Sequence, residues 1–89
     1  MVYSGDETGR RIGLTEGRNT IGSSAAASVQ IDDASLSRMH AELAIDGVSF
    51  VLRDLGSTNG SQVQDQPVSG RHLLRDGELL RLGSVVLKF

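Results

Sequence analysis

The chain has no cysteine, no tryptophan, one proline and three aromatic residues among its 89 positions. Without cysteine there is neither a disulfide framework nor a thiolate metal site, which accords with a reducing compartment and a cytoplasmic protein. No apolar run approaches the roughly 20 residues a membrane helix needs, and Met1-Val2-Tyr3-Ser4 does not open a signal peptide, so membrane insertion is not expected. Lysine is scarce as well: the cationic set is eight arginines and Lys88, against eleven acidic residues. A formal charge of -2 and a pI near 5.5 argue against a general nucleic-acid binder. His40 and His72 share no metal-ligand spacing with the scattered carboxylates. Gly56 to Gly60 lacks the G-K-[ST] of a phosphate loop, so neither metal nor cofactor is expected. The length suits one small domain over residues 1–89, equally compatible with a domain cut from a longer protein, since Phe89 ends the chain on a strand-like pattern.

Glycine, by contrast, is abundant, with eleven residues. Gly5-Asp6, Glu16-Gly17, Asp46-Gly47, Asn59-Gly60, Ser69-Gly70, Asp76-Gly77 and Gly83 read as turns, because Gly, Asn and Asp tolerate positive φ. Between them the pattern predicts strands at 1–4, 11–14, 19–21, 29–31, 41–45, 49–53, 61–63, 78–82 and 84–89. Many short strands cut this often indicate an all-β sandwich. Ser24-Ala25-Ala26-Ala27-Ser28 favours helix but is too short to hold one. The expected core is Ile12, Leu14, Ile21, Val29, Ile31, Leu43, Ile45, Val51, Leu79, Leu82, Val86 and Phe89. At about 1.5–3 kcal/mol per fully buried large side chain, such a set outweighs chain entropy only narrowly. Asp32, Asp33, Asp46, Asp65 and Asp76 read as solvated loop charge.

The most informative stretch is a hairpin with a loop at each outer end. Ala41, Leu43 and Ile45 alternate with Glu42, Ala44 and Asp46, Gly47 turns the chain, and Phe50 to Arg53 carries it back. Ser37-Arg38-Met39-His40 precedes this hairpin and Asp54-Leu55-Gly56-Ser57-Thr58-Asn59-Gly60 follows it. The outer ends of a hairpin lie side by side, so the two loops should be neighbours. Together they offer hydroxyls, one amide and one arginine, which suits holding an anion. On local grounds Thr58-Asn59-Gly60 is a tight turn with Asn59 in the left-handed region. Ser37, His40 and Asp54 have the residue types of a hydrolytic triad, but no G-x-S-x-G elbow or oxyanion glycine run accompanies them, and His40 stands too close to Ser37 in sequence. The chain is therefore not expected to be an enzyme.

With Ile21-Gly22, Asp32-Asp33 and the Leu74-Arg75-Asp76-Gly77-Glu78 to Leu82-Gly83 ending, these two loops resemble the forkhead-associated (FHA) domain over about Leu14 to Phe89. The resemblance implies an FHA-type β-sandwich of about eleven short, mostly antiparallel strands, whose loops at one end bind a phosphothreonine peptide. It implies that the hydroxyl and amide of Ser37 contact the phosphate, with Arg38 nearby, and that Thr58 and Asn59 belong to the second binding loop, Asn59 bonding the peptide backbone. Gly22, His40 and Gly60 would support the site, His40 bracing the loops from inside and Gly60 closing the turn.

One position departs from the family pattern. Where the family reads I-G-R, this chain reads Ile21-Gly22-Ser23. The family arginine is the principal phosphate ligand, so Ser23 replaces a charge-assisted contact worth about 1.5–3 kcal/mol with a hydroxyl. Arg18 does not compensate, because five residues of extended strand separate it from Ser23 by roughly 15 Å. The expected function is a protein-interaction module for signalling, binding a phosphothreonine peptide or protein partner through Ser23, Ser37, Arg38, Thr58 and Asn59. The alternative is a phosphate-independent docking or assembly domain with a vestigial site.

Overall fold

Frequent glycine turns cut the chain into segments too short for anything but small strands. A computed structural model describes residues 2–6 and 11–89, with side chains from residue 13 onward, and contains eleven strands. These are β1 (Val2–Asp6), β2 (Arg11–Leu14), β3 (Gly17–Gly22), β4 (Val29–Gln30), β5 (Ala41–Asp46), β6 (Ser49–Asp54), β7 (Ser61–Val63), β8 (Gln66–Pro67), β9 (Arg71–Leu73), β10 (Leu79–Leu82) and β11 (Val85–Lys88). They form two sheets, β2-β1-β11-β10-β7-β8 and β4-β3-β5-β6-β9. Every paired neighbour is antiparallel except β3 and β4. The all-β sandwich is thus as expected, and among the described residues there is no helix; Ser24 to Ser28 is a turn.

Leu14, Ile21, Leu43, Ile45, Leu52, Val63, Leu80, Leu82 and Leu87 fill the space between the sheets, joined by Leu36 and Leu74 from loops. Several of these correct the expected core. Gly47-Val48 is a two-residue turn that pairs Asp46 with Ser49, and this register sets Leu52 opposite Leu43. Leu52 is therefore buried and Val51, expected inside, points to the outer face. The same reasoning applies to Gly83-Ser84. Pairing Leu82 with Val85 sets Leu80 opposite Leu87, so both are buried, Leu79 is 47% exposed and Val86 is only half-buried. Phe89 packs edge to face on Phe50 at the core's rim, ring centroids 5.0 Å apart. Such a pair adds about 0.5–1.5 kcal/mol beyond its burial. Ile12 lies outside the described side chains.

Other boundaries also moved. Gly5-Asp6 is not a turn but the end of β1, paired with Lys88 and Leu87. Strands β8 and β9 were not expected. The β7–β8 hairpin turns through Gln64 and Asp65, both at positive φ, without glycine to announce it.

Candidate functional site

The β5–β6 hairpin brings its two flanking loops together as the alternation predicts. The Leu55 amide donates to the His40 carbonyl at 3.0 Å, and the Thr58 amide donates to the Ser37 hydroxyl at 3.0 Å. The end of β3 joins them: His40 N–H donates to Ile21 at 2.8 Å, Ser23 N–H to Ser37 at 3.1 Å and Ser24 N–H to Arg38 at 3.2 Å. So close an approach needs glycine at position 22, where a Cβ would overlap the Arg38 carbonyl.

His40 is the internal brace. It is fully buried, accepts from the Ser37 amide at Nδ1 (3.1 Å) and donates from Nε2 to the Gly60 carbonyl (2.8 Å). The backbone donor at Nδ1 assigns the proton to Nε2. One neutral imidazole thereby holds both loops. A triad is not assembled: Nδ1 faces the amide of Ser37, and Asp54 is bound elsewhere.

Asp54 organises the second loop. Its Oδ2 accepts from the amides of Gly56 and Ser57, both at 3.0 Å, and its Oδ1 from the hydroxyls of Ser57 (2.5 Å) and Ser61 (2.6 Å). Burial pushes this carboxyl up, but the bonds from Ser57, Ser61 and Gly56 outweigh it, and the net shift is downward. The Ser57 hydroxyl also accepts from the Gly60 amide at 2.9 Å. Positive φ falls on Gly56 and Gly60 rather than on Asn59, which corrects the expected turn. Asn59 instead uses its amide to reach across, donating to the Ser35 carbonyl at 2.8 Å.

Asp33 and Ser35 do the same for the first loop, against the reading of Asp33 as solvated charge. Asp33 Oδ1 accepts from the Ser35 amide (2.8 Å) and hydroxyl (2.6 Å), and the hydroxyl bond above all lowers its pKa. The Ser35 hydroxyl also receives the Ser84 amide at 2.9 Å, tying in the β10–β11 turn. Residue spacing offered a signal for both carboxylates: Asp33-x-Ser35 and Asp54-x-x-Ser57 place a hydroxyl and amide two or three residues after an acceptor.

What remains outside this network faces solvent. Arg38 is exposed, and neither its guanidinium nor its amide has a partner among the described residues. The Ser37 hydroxyl accepts from Thr58 and keeps its proton for a ligand, whereas its amide is committed to His40. Thr58 is exposed with its hydroxyl unpartnered among the described residues, and Asn59 retains an N–H and its carbonyl oxygen. Ser23 lies in the same cluster but turns inward, its hydroxyl donating to the Leu36 carbonyl at 3.2 Å. Arg18 lies on β3 paired at Ala44, four positions from the strand's loop end, and its guanidinium faces Glu42. At this end the hydroxyls of Ser37 and Thr58, the Asn59 amide and the Arg38 guanidinium remain available among the described residues, a donor set suited to an oxyanion.

Comparison with known proteins places the chain. The FHA domain model matches residues 19–83. FhaA of Mycobacterium tuberculosis, an FHA domain-containing protein, is 42% identical over 78 residues, 88% of this chain and 15% of FhaA. The glycogen accumulation regulator GarA of Mycolicibacterium smegmatis is 32% identical over all 89 residues, 56% of GarA. The chain thus spans about half or less of the length of these curated relatives. A solved structure described under phosphothreonine-dependent FHA domain interactions superposes with a TM-score of 0.91 at 36% identity, over 97% of this chain and 91% of that one.

Proposed function

The chain belongs to the FHA domain family, and from that premise we propose that it binds phosphothreonine peptides at the loop cluster of Ser37, Arg38, Thr58 and Asn59. The observation that carries the proposal is Arg38, an exposed guanidinium without a partner among the described residues, in a loop cluster where Ser37, Thr58 and Asn59 each keep hydrogen-bonding capacity. A phosphothreonine brings about -1.5 to -2 charge and three acceptor oxygens, which match a guanidinium and hydroxyl protons. The 36% identical structure solved in an analysis of phosphothreonine-dependent FHA domain interactions supports the reading. Ser23 contributes no charge, and its hydroxyl proton is spent on the Leu36 carbonyl, so binding is weaker than with the family arginine. The module is non-catalytic: His40, the histidine of the loop cluster, is spent on structure. It serves as the recognition domain of a larger signalling or assembly protein, and a chain without cysteine accords with a cytoplasmic address. Among the described residues no helix is long and apolar enough to cross a membrane.

Calorimetric titration with a degenerate phosphothreonine peptide library, beside its unphosphorylated twin, tests this. Heat with the phosphorylated library alone supports the reading. Equal heats, or none with either, would transfer the function to phosphate-independent docking.

A further inference from the structure

The outer face of the five-stranded sheet carries a charge imbalance that the loop site does not use. Cross-strand partners share a face, so Thr20, Glu42, Arg53 and Arg71 form one row, and Arg18, Ala44, Val51 and Leu73 form the next. Three guanidiniums and one carboxylate thereby share this face and, with Ala44 and Val51, line a depression of about 190 Å³.

The single acid does not satisfy the three bases. Glu42 Oε1 is 4.0 Å from Arg18 Nε and Oε2 is 3.7 Å from Arg53 Nη2, both beyond hydrogen-bond length. Arg53 Nε is buried without an acceptor, a hydrogen bond left unmade. Arg71 sits directly opposite Arg53 with no acidic partner among the described residues. Like charges paired across strands destabilise a sheet. Three positive charges against one negative leave an excess of two here, on a chain whose formal charge is -2. The second row is mostly apolar and ends in Leu73, 60% exposed on edge strand β9.

We propose that this face docks an acidic, partly apolar segment of a partner protein. Arg53 and Arg71 take its carboxylates, and Val51 and Leu73 take its apolar side chains. A nucleic acid suits the face less: none of its side chains is aromatic for base stacking, and Glu42 stands at its centre against phosphates. The docking does not rest on the phosphopeptide reading, because Arg38 does not line the depression and takes no part in it.

The probe is a fluorescein-labelled peptide of about twelve residues built from glutamate and leucine, without serine or threonine, followed by anisotropy. Wild type binds it, and binding weakens as sodium chloride rises from about 50 to about 300 mM. Arg71→Glu weakens it by about tenfold or more, and the Arg18→Ala plus Arg71→Ala double variant does likewise. Both sites are exposed and neither change removes a buried contact, so the double variant keeps the wild-type thermal midpoint and Arg71→Glu, which replaces the like-charge pair with Arg53 by an opposite-charge one, stays at or above it. Arg38→Ala, and Arg81→Ala on the other sheet, leave the affinity unchanged, and a peptide with lysine in place of glutamate does not bind. The proposal is overturned if Arg71→Glu binds like wild type, if Arg81→Ala loses as much, or if a single-stranded oligonucleotide of equal charge binds more tightly than the peptide.

Discussion

Replacing His40 by alanine removes the one side chain that holds both binding loops. The imidazole is fully buried and makes two hydrogen bonds, to the Ser37 amide and the Gly60 carbonyl. In His40→Ala both backbone groups lose their partner within the protein, and each such loss costs about 1–3 kcal/mol. The ring's volume is lost as well, adding a packing penalty unless the loops collapse. Taking the two groups as coupled rather than additive, the cost is about 3–5 kcal/mol. A domain of this size has roughly 5–13 kcal/mol in total. One kilocalorie shifts its midpoint by about 4–8 °C, so a fall of at least about 12 °C is expected. Differential scanning calorimetry of the purified variant reads this directly. A fall of less than about 4 °C would refute the reasoning, since His40 would then contribute no more than a surface contact.

Three further outcomes follow from the same geometry. Ser23→Arg restores the family pattern and should raise phosphopeptide affinity by roughly one to two decades in calorimetry, the equivalent of about 1.5–3 kcal/mol; that gain should shrink with added salt and below about pH 6, where the phosphate takes up its second proton. Arg38→Ala should cost phosphopeptide binding about tenfold or more while Arg18→Ala changes it little, and equal losses would place the phosphate elsewhere. Asp54 has a folded pKa below its ordinary 3.8, so its stabilising contribution is complete above that value and is lost as pH falls through the folded one. The wild-type midpoint should therefore drop on acidification from about pH 5 to about pH 2, and Asp54→Asn should start lower at neutral pH and lose less over that range.

The fold and the meeting of the two loops were legible because both rest on short-range chemistry. Alternation from Ala41 to Ile45 and a glycine at position 47 determine a hairpin, and a hairpin places its flanking loops together whatever else the chain does. Which residues face inward was harder. Val51 and Leu52, or Leu79 and Leu80, are both apolar, and composition does not separate them; the two-residue turns at Gly47-Val48 and Gly83-Ser84 decide it by setting register. Strand β8 was missed because Gln64 and Asp65 take positive φ without the glycine that marks such turns. At the site, the resemblance named the outward side chains, but of the two carboxylates beneath them Asp33 was read as loop charge and Asp54 was weighed only as a triad residue. Asp33 and Asp54 function through amides and hydroxyls within three residues, visible only once an acceptor is sought for each loop donor. The orientation of Ser23 was not legible at all, since nothing local selects the Leu36 carbonyl as its partner.

Phosphate-dependent binding at the loops is the central claim, and amide chemical-shift mapping tests it most directly. Isotope-labelled protein is titrated with a phosphothreonine peptide drawn from the library and, in parallel, with its unphosphorylated twin. Only the phosphorylated peptide should move resonances, with the largest shifts at Ser37, Arg38, Thr58 and Asn59. Shifts of equal size with both peptides, or a phosphate-dependent set centred away from these four residues, would contradict the account.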